Sequence, residues 1–125
     1  MKVALVVIGR LENRYAVEYV EYYKQLGFDQ IFIIDNNYDG EEHFEDVLQS
    51  YIDDKFVTII DYRNKKNDEG DAWDHSIQVI SYIDVYHKIK NDYDWIAFFD
   101  FDEYLTLSRD KNIKDYLCRK CFNNS

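Results

Sequence analysis

The chain has 125 residues, enough for one domain with a buried core. Apolar residues make up 46% of it and aromatics 18%, which excludes a disordered polymer. With 15 Lys and Arg against 25 Asp and Glu, the formal charge of −10 excludes the basic footprint that nucleic acid or an anionic membrane surface requires; an anionic ligand would need a divalent cation or a few local donors.

Two periodicities alternate along the chain. "VALVVI" (Val3–Ile8) is a continuous apolar run, too short to span a membrane and lacking a cleavage site, so it predicts a strand. Gly9–Asn13 is a polar turn. From Arg14 to Leu26, Tyr15, Val17, Val20, Tyr23 and Leu26 recur near helical spacing, and Gly27 stands where a helix C-terminus wants glycine. "QIFIID" (Gln30–Asp35) predicts the second strand, ended by the turn residues "DNNYDG". A helix over about Glu42–Tyr51 would bury Phe44, Val47, Leu48 and Tyr51. "KFVTIIDY" is the third strand, and residues 61–72 form a polar loop. Trp73–Lys90 is a long helix with Ser76, Val79, Ile80, Ile83 and Tyr86 on its buried face. "DWIAFFD" is the fourth strand, and Ile113, Tyr116 and Leu117 mark a last helix.

Alternating strands and helices with continuously apolar strands imply an α/β domain over residues 1–125, its mainly parallel sheet covered by helices on both faces. In such sheets ligands bind outside the carboxyl ends of the strands. Those ends read "GRLEN", "DNNYDG", "DYRNKKNDEGD" and "DFDE". Asp35 and Asp100 each follow four apolar residues. Asp35 has a local alternative, an Asx-turn with Asn36 or Asn37, and Asp100 could cap the turn after its strand. Asp100 and Asp102 are separated by one residue, so in an extended chain both point to one face. Two carboxylates so close repel unless a cation lies between them, and oxygen ligands of this kind suit Mg²⁺ or Mn²⁺ with substrate phosphates. Glu103 points the other way and is given no role. "RNKK" (Arg63–Lys66) reads as a solvated loop.

"GRLENRYAVEYVEYYKQLGFDQIFIIDNN" followed by "DWIAFFDFDEYL" resembles the nucleotide-sugar glycosyltransferases of GT-A fold, a Rossmann-like architecture, and is most similar to their family-2-like and family-92-like branches. The specificity lies in the combination, because a bare DxD is common by chance. The resemblance implies that Asp100 and Asp102 hold Mn²⁺ or Mg²⁺ against the donor pyrophosphate, with Asp100 also near the ribose. It places Asp35 near the nucleobase or ribose with Asn36 beside it, Glu12 near the nucleoside, Arg10 on phosphate, and Asp71 on sugar or nucleotide. The expected partners are a UDP-sugar and a carbohydrate or glycan acceptor. In the family an acceptor-binding half follows and carries the base of inverting members. No base is therefore assigned within 1–125, which is expected to be the donor-binding part of a longer chain.

Other readings differ in where they need acids. A receiver-like module of flavodoxin type binds a divalent metal but requires paired acids ending the first strand, where this chain has "GRLEN"; Asp61 could supply its third-strand acid. A phosphohydrolase with a nucleophilic aspartate carries its pair after the first strand as well. A non-catalytic α/β domain, solubilised by its acids, is the remaining alternative. Cys118 and Cys121 form a single CxxC far in sequence from His43, His75 and His87 and read as ordinary reduced thiols. They suggest a cytoplasmic setting or the cytoplasmic face of a membrane.

Overall fold

The computed structural model describes residues 1–66 and 76–123. Its elements in chain order are β1 (Val3–Gly9), α1 (Asn13–Gln25), β2 (Gln30–Asp35), α2 (Glu45–Asp53), β3 (Val57–Asp61), α3 (Ile77–Ile89), β4 (Trp95–Phe98) and α4 (Ile113–Asn123). The four strands form one sheet in the order β3-β2-β1-β4, and every pairing is parallel. In register, Val6 lies between Phe32 and Phe98, and Gly9 lies opposite Asp35, itself opposite Asp61.

This order separates two folds that the element pattern alone leaves open. A flavodoxin-like sheet runs 2-1-3-4-5, with β3 beside β1, whereas a Rossmann-like sheet begins 3-2-1-4. Here β1 is flanked by β2 and β4, so the receiver-like alternative is excluded. The strand order reverses between β1 and β4, where a crevice opens outside the strand ends.

Helices cover both faces, as continuously apolar strands demand. Val3, Leu5 and Val7 of β1 and Ile31 and Ile33 of β2 face Tyr19, Val20 and Tyr23 of α1, Leu48 of α2 and Ile113 and Leu117 of α4. The alternate residues Ala4, Val6 and Ile34 face Val85 and Ile89 of α3. Turn chemistry closes the helices. After α1 the Gly27 N–H donates to Lys24 O and the Phe28 N–H to Tyr23 O, with Gly27 at φ 101°, a Schellman motif. After α2 the same pair of bonds forms around Lys55, left-handed at φ 64° without being glycine. Among the described residues no helix is long and apolar enough to cross a membrane.

The helices differ from expectation mostly in which face is buried. In α1 the buried residues are Ala16, Tyr19, Val20 and Tyr23, while Tyr15 and Val17 are exposed. In α3 they are Ser81, Val85 and Ile89; Ile80, Ile83 and Tyr86, expected inside, are exposed. That helix is apolar nearly all round, so its pattern carries no contrast to select a face. Within the described residues it begins at Ile77, where Ser76 is extended (ψ 155°) and its Oγ accepts the Val79 N–H as an N-cap; the start expected at Trp73 lies outside the described residues.

Candidate functional site

β4 ends at Phe98, two residues before the first acid, so the carboxylates stand on the loop beyond the strand. Burial alternates there as an extended segment would: Asp100 exposed, Phe101 buried, Asp102 exposed. Phe101 anchors the loop. Its ring stacks on Phe44 (centroids 5.6 Å apart, planes at 13°) and leans on Tyr19 at 4.8 Å. It also covers Gly9 so closely that a Cβ there would lie 2.4 Å from Phe101 Cε2. Glu103 closes the turn: its Oε1 accepts the Asp100 N–H at 2.7 Å, and its own N–H donates to Asp100 O at 2.9 Å. The residue left without a role is thus the clasp of the acid loop.

Asp100 and Asp102 line a cavity of about 740 Å³ together with Glu12, Glu18, Tyr15, Tyr104, Gln78, Ile8 and Phe101. It occupies the crevice between β1 and β4. Partial burial, then Glu103 and Asp102, push the Asp100 carboxyl above the usual aspartate range. Burial, then Asp102, push Glu12 up likewise, so the carboxylates of the β1 and β4 loops sense one another across the cavity. Among the described residues neither Asp100 nor Asp102 has a cationic partner. Nor do three His, Cys, Asp or Glu side chains there converge into a ready metal cage. Two carboxylates with room for water and a ligand suit Mg²⁺ or Mn²⁺, which complete their shells with water and phosphate oxygen.

A second hollow of about 290 Å³ adjoins the first, sharing Ile8, Glu12 and Gln78, and is walled by Gly9, Arg10, Asn36, Ser76 and Ile77. Of the residues singled out in the sequence, Arg10, Glu12, Asn36, Asp100 and Asp102 therefore border one continuous groove. Asp71 lies outside the described residues.

Asp35 does not line the groove. It is 2% exposed, and its carboxylate is engaged on both oxygens: Oδ1 accepts the Asn37 backbone and side-chain N–H groups at 2.9 and 2.8 Å, and Oδ2 takes Arg63 Nη1 at 3.0 Å. A nucleoside could reach it only by displacing one of them. The network continues outward. Asn37 Oδ1 accepts the N–H of Leu11, left-handed at φ 60°, so Asp35 steadies the β1 loop through Asn37. Arg63 also donates to Glu42 O and Tyr38 O at 3.0 and 2.9 Å. The reading of "RNKK" as a solvated loop is thus corrected at Arg63, whose guanidinium ties the β2 and β3 loops together; Lys65 and Lys66 are exposed. Asn36 Nδ2 pins the same loop through Tyr62 O and Lys65 O, each at 2.8 Å.

Arg10 is also committed. Its Nε and Nη2 grip both oxygens of Glu41 at 2.8 and 2.6 Å, and its guanidinium lies 4.2 Å from the Tyr38 ring centre. Arg10, then the Tyr38 N–H, hold the Glu41 carboxyl at about 2. Sequence reasoning gave no site role to the lining residues Tyr15, Glu18, Gln78 and Tyr104; the first three lie on helix faces without a motif, and Tyr104 lies inside "DFDEYL" beside the acids.

Comparison with known proteins bears on this groove. Residues 12–124 match the family described as glycosyltransferase family 92. A curated protein of Ricinus communis, named a glycosyltransferase family 92 protein, is 28% identical over 107 residues, 85% of this chain and 17% of the relative. The chain thus spans about a sixth of the length of that relative.

Proposed function

Because the chain belongs to glycosyltransferase family 92, we propose that it is the donor-binding part of a GT-A-type enzyme that transfers a sugar from a nucleoside diphosphate sugar, a UDP-sugar in the first instance, to a carbohydrate acceptor. The observation that carries this reading is the pair of carboxylates, Asp100 and Asp102, without a cationic partner among the described residues, opening from a buried anchor into a cavity of about 740 Å³ at the strand-order reversal. Asp100 and Asp102 would hold Mg²⁺ or Mn²⁺. When bound, that ion supplies positive charge that stabilises the departing diphosphate.

The chain's own residues favour a metal bridge over direct cationic capture. Arg10 and Arg63, which follow β1 and β3, are both committed to carboxylates, while Arg14 lies over the ring of Tyr15 at 4.7 Å. The groove is walled by Glu12, Glu18, Asp100 and Asp102, which would repel a bare diphosphate. Tyr15 and Tyr104 line the same cavity and would meet a base or sugar there. Asn36 and Arg10 border the adjoining hollow, where the nucleoside is placed in this reading. Asp35 enters as the buried support of the β1 loop that carries Glu12.

Calorimetry with UDP in the presence and absence of Mn²⁺ tests the assignment. The expected result is binding that requires the metal and is lost in Asp102→Ala. Equal affinity without metal, or wild-type affinity in Asp102→Ala, would sink it.

A further inference from the structure

The acid loop hangs from α1 by three phenols. Tyr19, Tyr22 and Tyr23 recur at i, i+3 and i+4, so one side of the helix presents all three toward the end of β4. Tyr19 Oη donates to Phe99 O at 2.7 Å, Tyr23 Oη to Glu103 O at 2.7 Å, and Tyr22 Oη to Leu105 O. The Leu105 N–H donates back to Tyr23 Oη at 3.0 Å. These bonds fall at residues 99, 103 and 105, bracketing Asp100 and Asp102, where β4 no longer pairs with β1.

The rings alone do not need those hydroxyls. Tyr19 packs on Phe101, Tyr23 lies parallel to Phe99 and Tyr104 at 5.8 and 6.2 Å, and Tyr22 meets Tyr104 edge-on at 4.9 Å. Phenylalanine would give the same packing without burying a polar atom, which costs free energy unless it is bonded. What the hydroxyls add is directional contact to a backbone that has left the sheet. That backbone carries carboxylates whose repulsion would splay it. Glu103 clasps the turn from within, and Phe101 plugs it from below. The phenols tie its two ends to a rigid helix.

We propose that the hydroxyls of Tyr19, Tyr22 and Tyr23 are positioning groups for the metal-binding carboxylates, fixing residues 99–105 so that Asp100 and Asp102 open into one cavity. This rests on the metal role given to those two acids above. The phenols touch neither metal nor donor; they act through the loop.

Tyr→Phe variants, singly and combined, test this in the 125-residue chain, with Tyr51→Phe as control. Tyr51 Oη donates to Glu21, away from the loop, so its loss removes a hydroxyl of the same kind without touching residues 99–105. Amide hydrogen exchange reads the loop, and electron paramagnetic resonance titration reads Mn²⁺ affinity. In the triple variant, exchange of the Leu105 and neighbouring loop amides is expected to rise about fivefold or more, the effect of losing one net hydrogen bond. Mn²⁺ should bind about tenfold more weakly, as when outer partners of a metal ligand are removed. The single variants should show both effects at smaller size, which serves if the triple variant does not fold; Tyr51→Phe should show neither. Unchanged loop exchange overturns the proposal. So does faster exchange with wild-type Mn²⁺ affinity, which would leave the hydroxyls a purely structural role. If the wild-type chain takes up no Mn²⁺, the metal reading falls and the positioning of metal ligands falls with it; loop exchange then shows separately whether the phenols anchor residues 99–105.

Discussion

Replacing Gly9 by alanine tests the link between core packing and the acid loop. Gly9 ends β1, and its φ is not in the left-handed region, so alanine can adopt the backbone without strain. Reduced freedom of the unfolded chain would then favour alanine by about 0.4–1 kcal/mol if nothing stood in the way. Phe101 stands in the way. The new Cβ would meet Phe101 Cε2 at 2.4 Å, Phe101 Cδ2 at 3.0 Å and Phe44 Cζ at 3.0 Å. Comfortable carbon–carbon separation is about 3.5–4.0 Å, so the ring must retreat by roughly 1 Å. Phe44 and Tyr19 block that retreat, being packed on the ring at 5.6 and 4.8 Å. Overpacking of this kind costs about 1–3 kcal/mol, or about 4–12 °C in Tm at this chain length.

The displaced ring carries Asp100 and Asp102 with it. A misplacement of about 1 Å can reduce function about 100-fold, so Mn²⁺-dependent nucleotide binding should weaken more than the stability loss alone explains. Thermal denaturation and calorimetry on Gly9→Ala measure the two effects. Repeating both in a Phe101→Leu background isolates the clash, because alanine should cost little or nothing there. A Gly9→Ala chain with wild-type Tm and wild-type binding would refute the packing argument. Equal cost in both backgrounds would show that the clash lies elsewhere.

Further outcomes follow from other contacts. Arg63→Met strands the buried Asp35 carboxylate and should cost about 3–5 kcal/mol by chemical denaturation, with part regained in Arg63→Met/Asp35→Asn, where no charge is left unpaired. Lys55→Gly should stabilise by about 0.5–1 kcal/mol, because glycine relieves the left-handed strain at φ 64° and gives back part of that gain as chain entropy. Alkaline pH should unfold the chain through its tyrosines. Burial raises Tyr19 and pushes Tyr23 and Tyr82 up to about 12, while in the unfolded chain they titrate near ~10. Between those values the unfolded state binds fewer protons, so stability is full below about pH 10 and falls as pH rises toward 12. Tm followed against pH should drop in that window, and less steeply in Tyr82→Phe.

The strands were legible because a buried parallel strand is a short apolar run between turn residues, and "VALVVI" and "QIFIID" are too short for a buried helix or a membrane span and are bounded by turn residues. The Schellman glycine at position 27 was equally plain. Helix faces were harder. In α3, Ile77, Val79, Ile80, Ile83, Val85 and Ile89 spread apolar surface around the whole axis, and only the one-sided contact with β1 selects Val85 and Ile89. In α1 the tyrosines are core and polar anchor at once. Periodicity found Tyr23 but could not show where its hydroxyl goes. The rule that a buried phenol finds a partner was the available signal. Strand order was not legible, since the same alternation serves 3-2-1-4 and 2-1-3-4 sheets, and only pairing decides.

The acids were read from spacing, Arg10 from the family resemblance and Arg63 from a local charge run, and these inferences fare differently in three dimensions. Spacing needs only a locally extended backbone, so Asp100 and Asp102 flank the buried Phe101 as alternation requires. A cation's availability depends on what else it meets. Arg10 lies 31 residues from Glu41, and Arg63 lies 28 from Asp35. No local pattern announces either pair, yet both withdraw an arginine from the ligand and spend it on loop geometry. The polar side chains lining the main cavity are carboxylates, phenols and the amide of Gln78. On the proposed reading a site so composed would hold a diphosphate through a divalent ion, so the metal dependence of nucleotide binding separates that reading from one in which the acids merely face solvent.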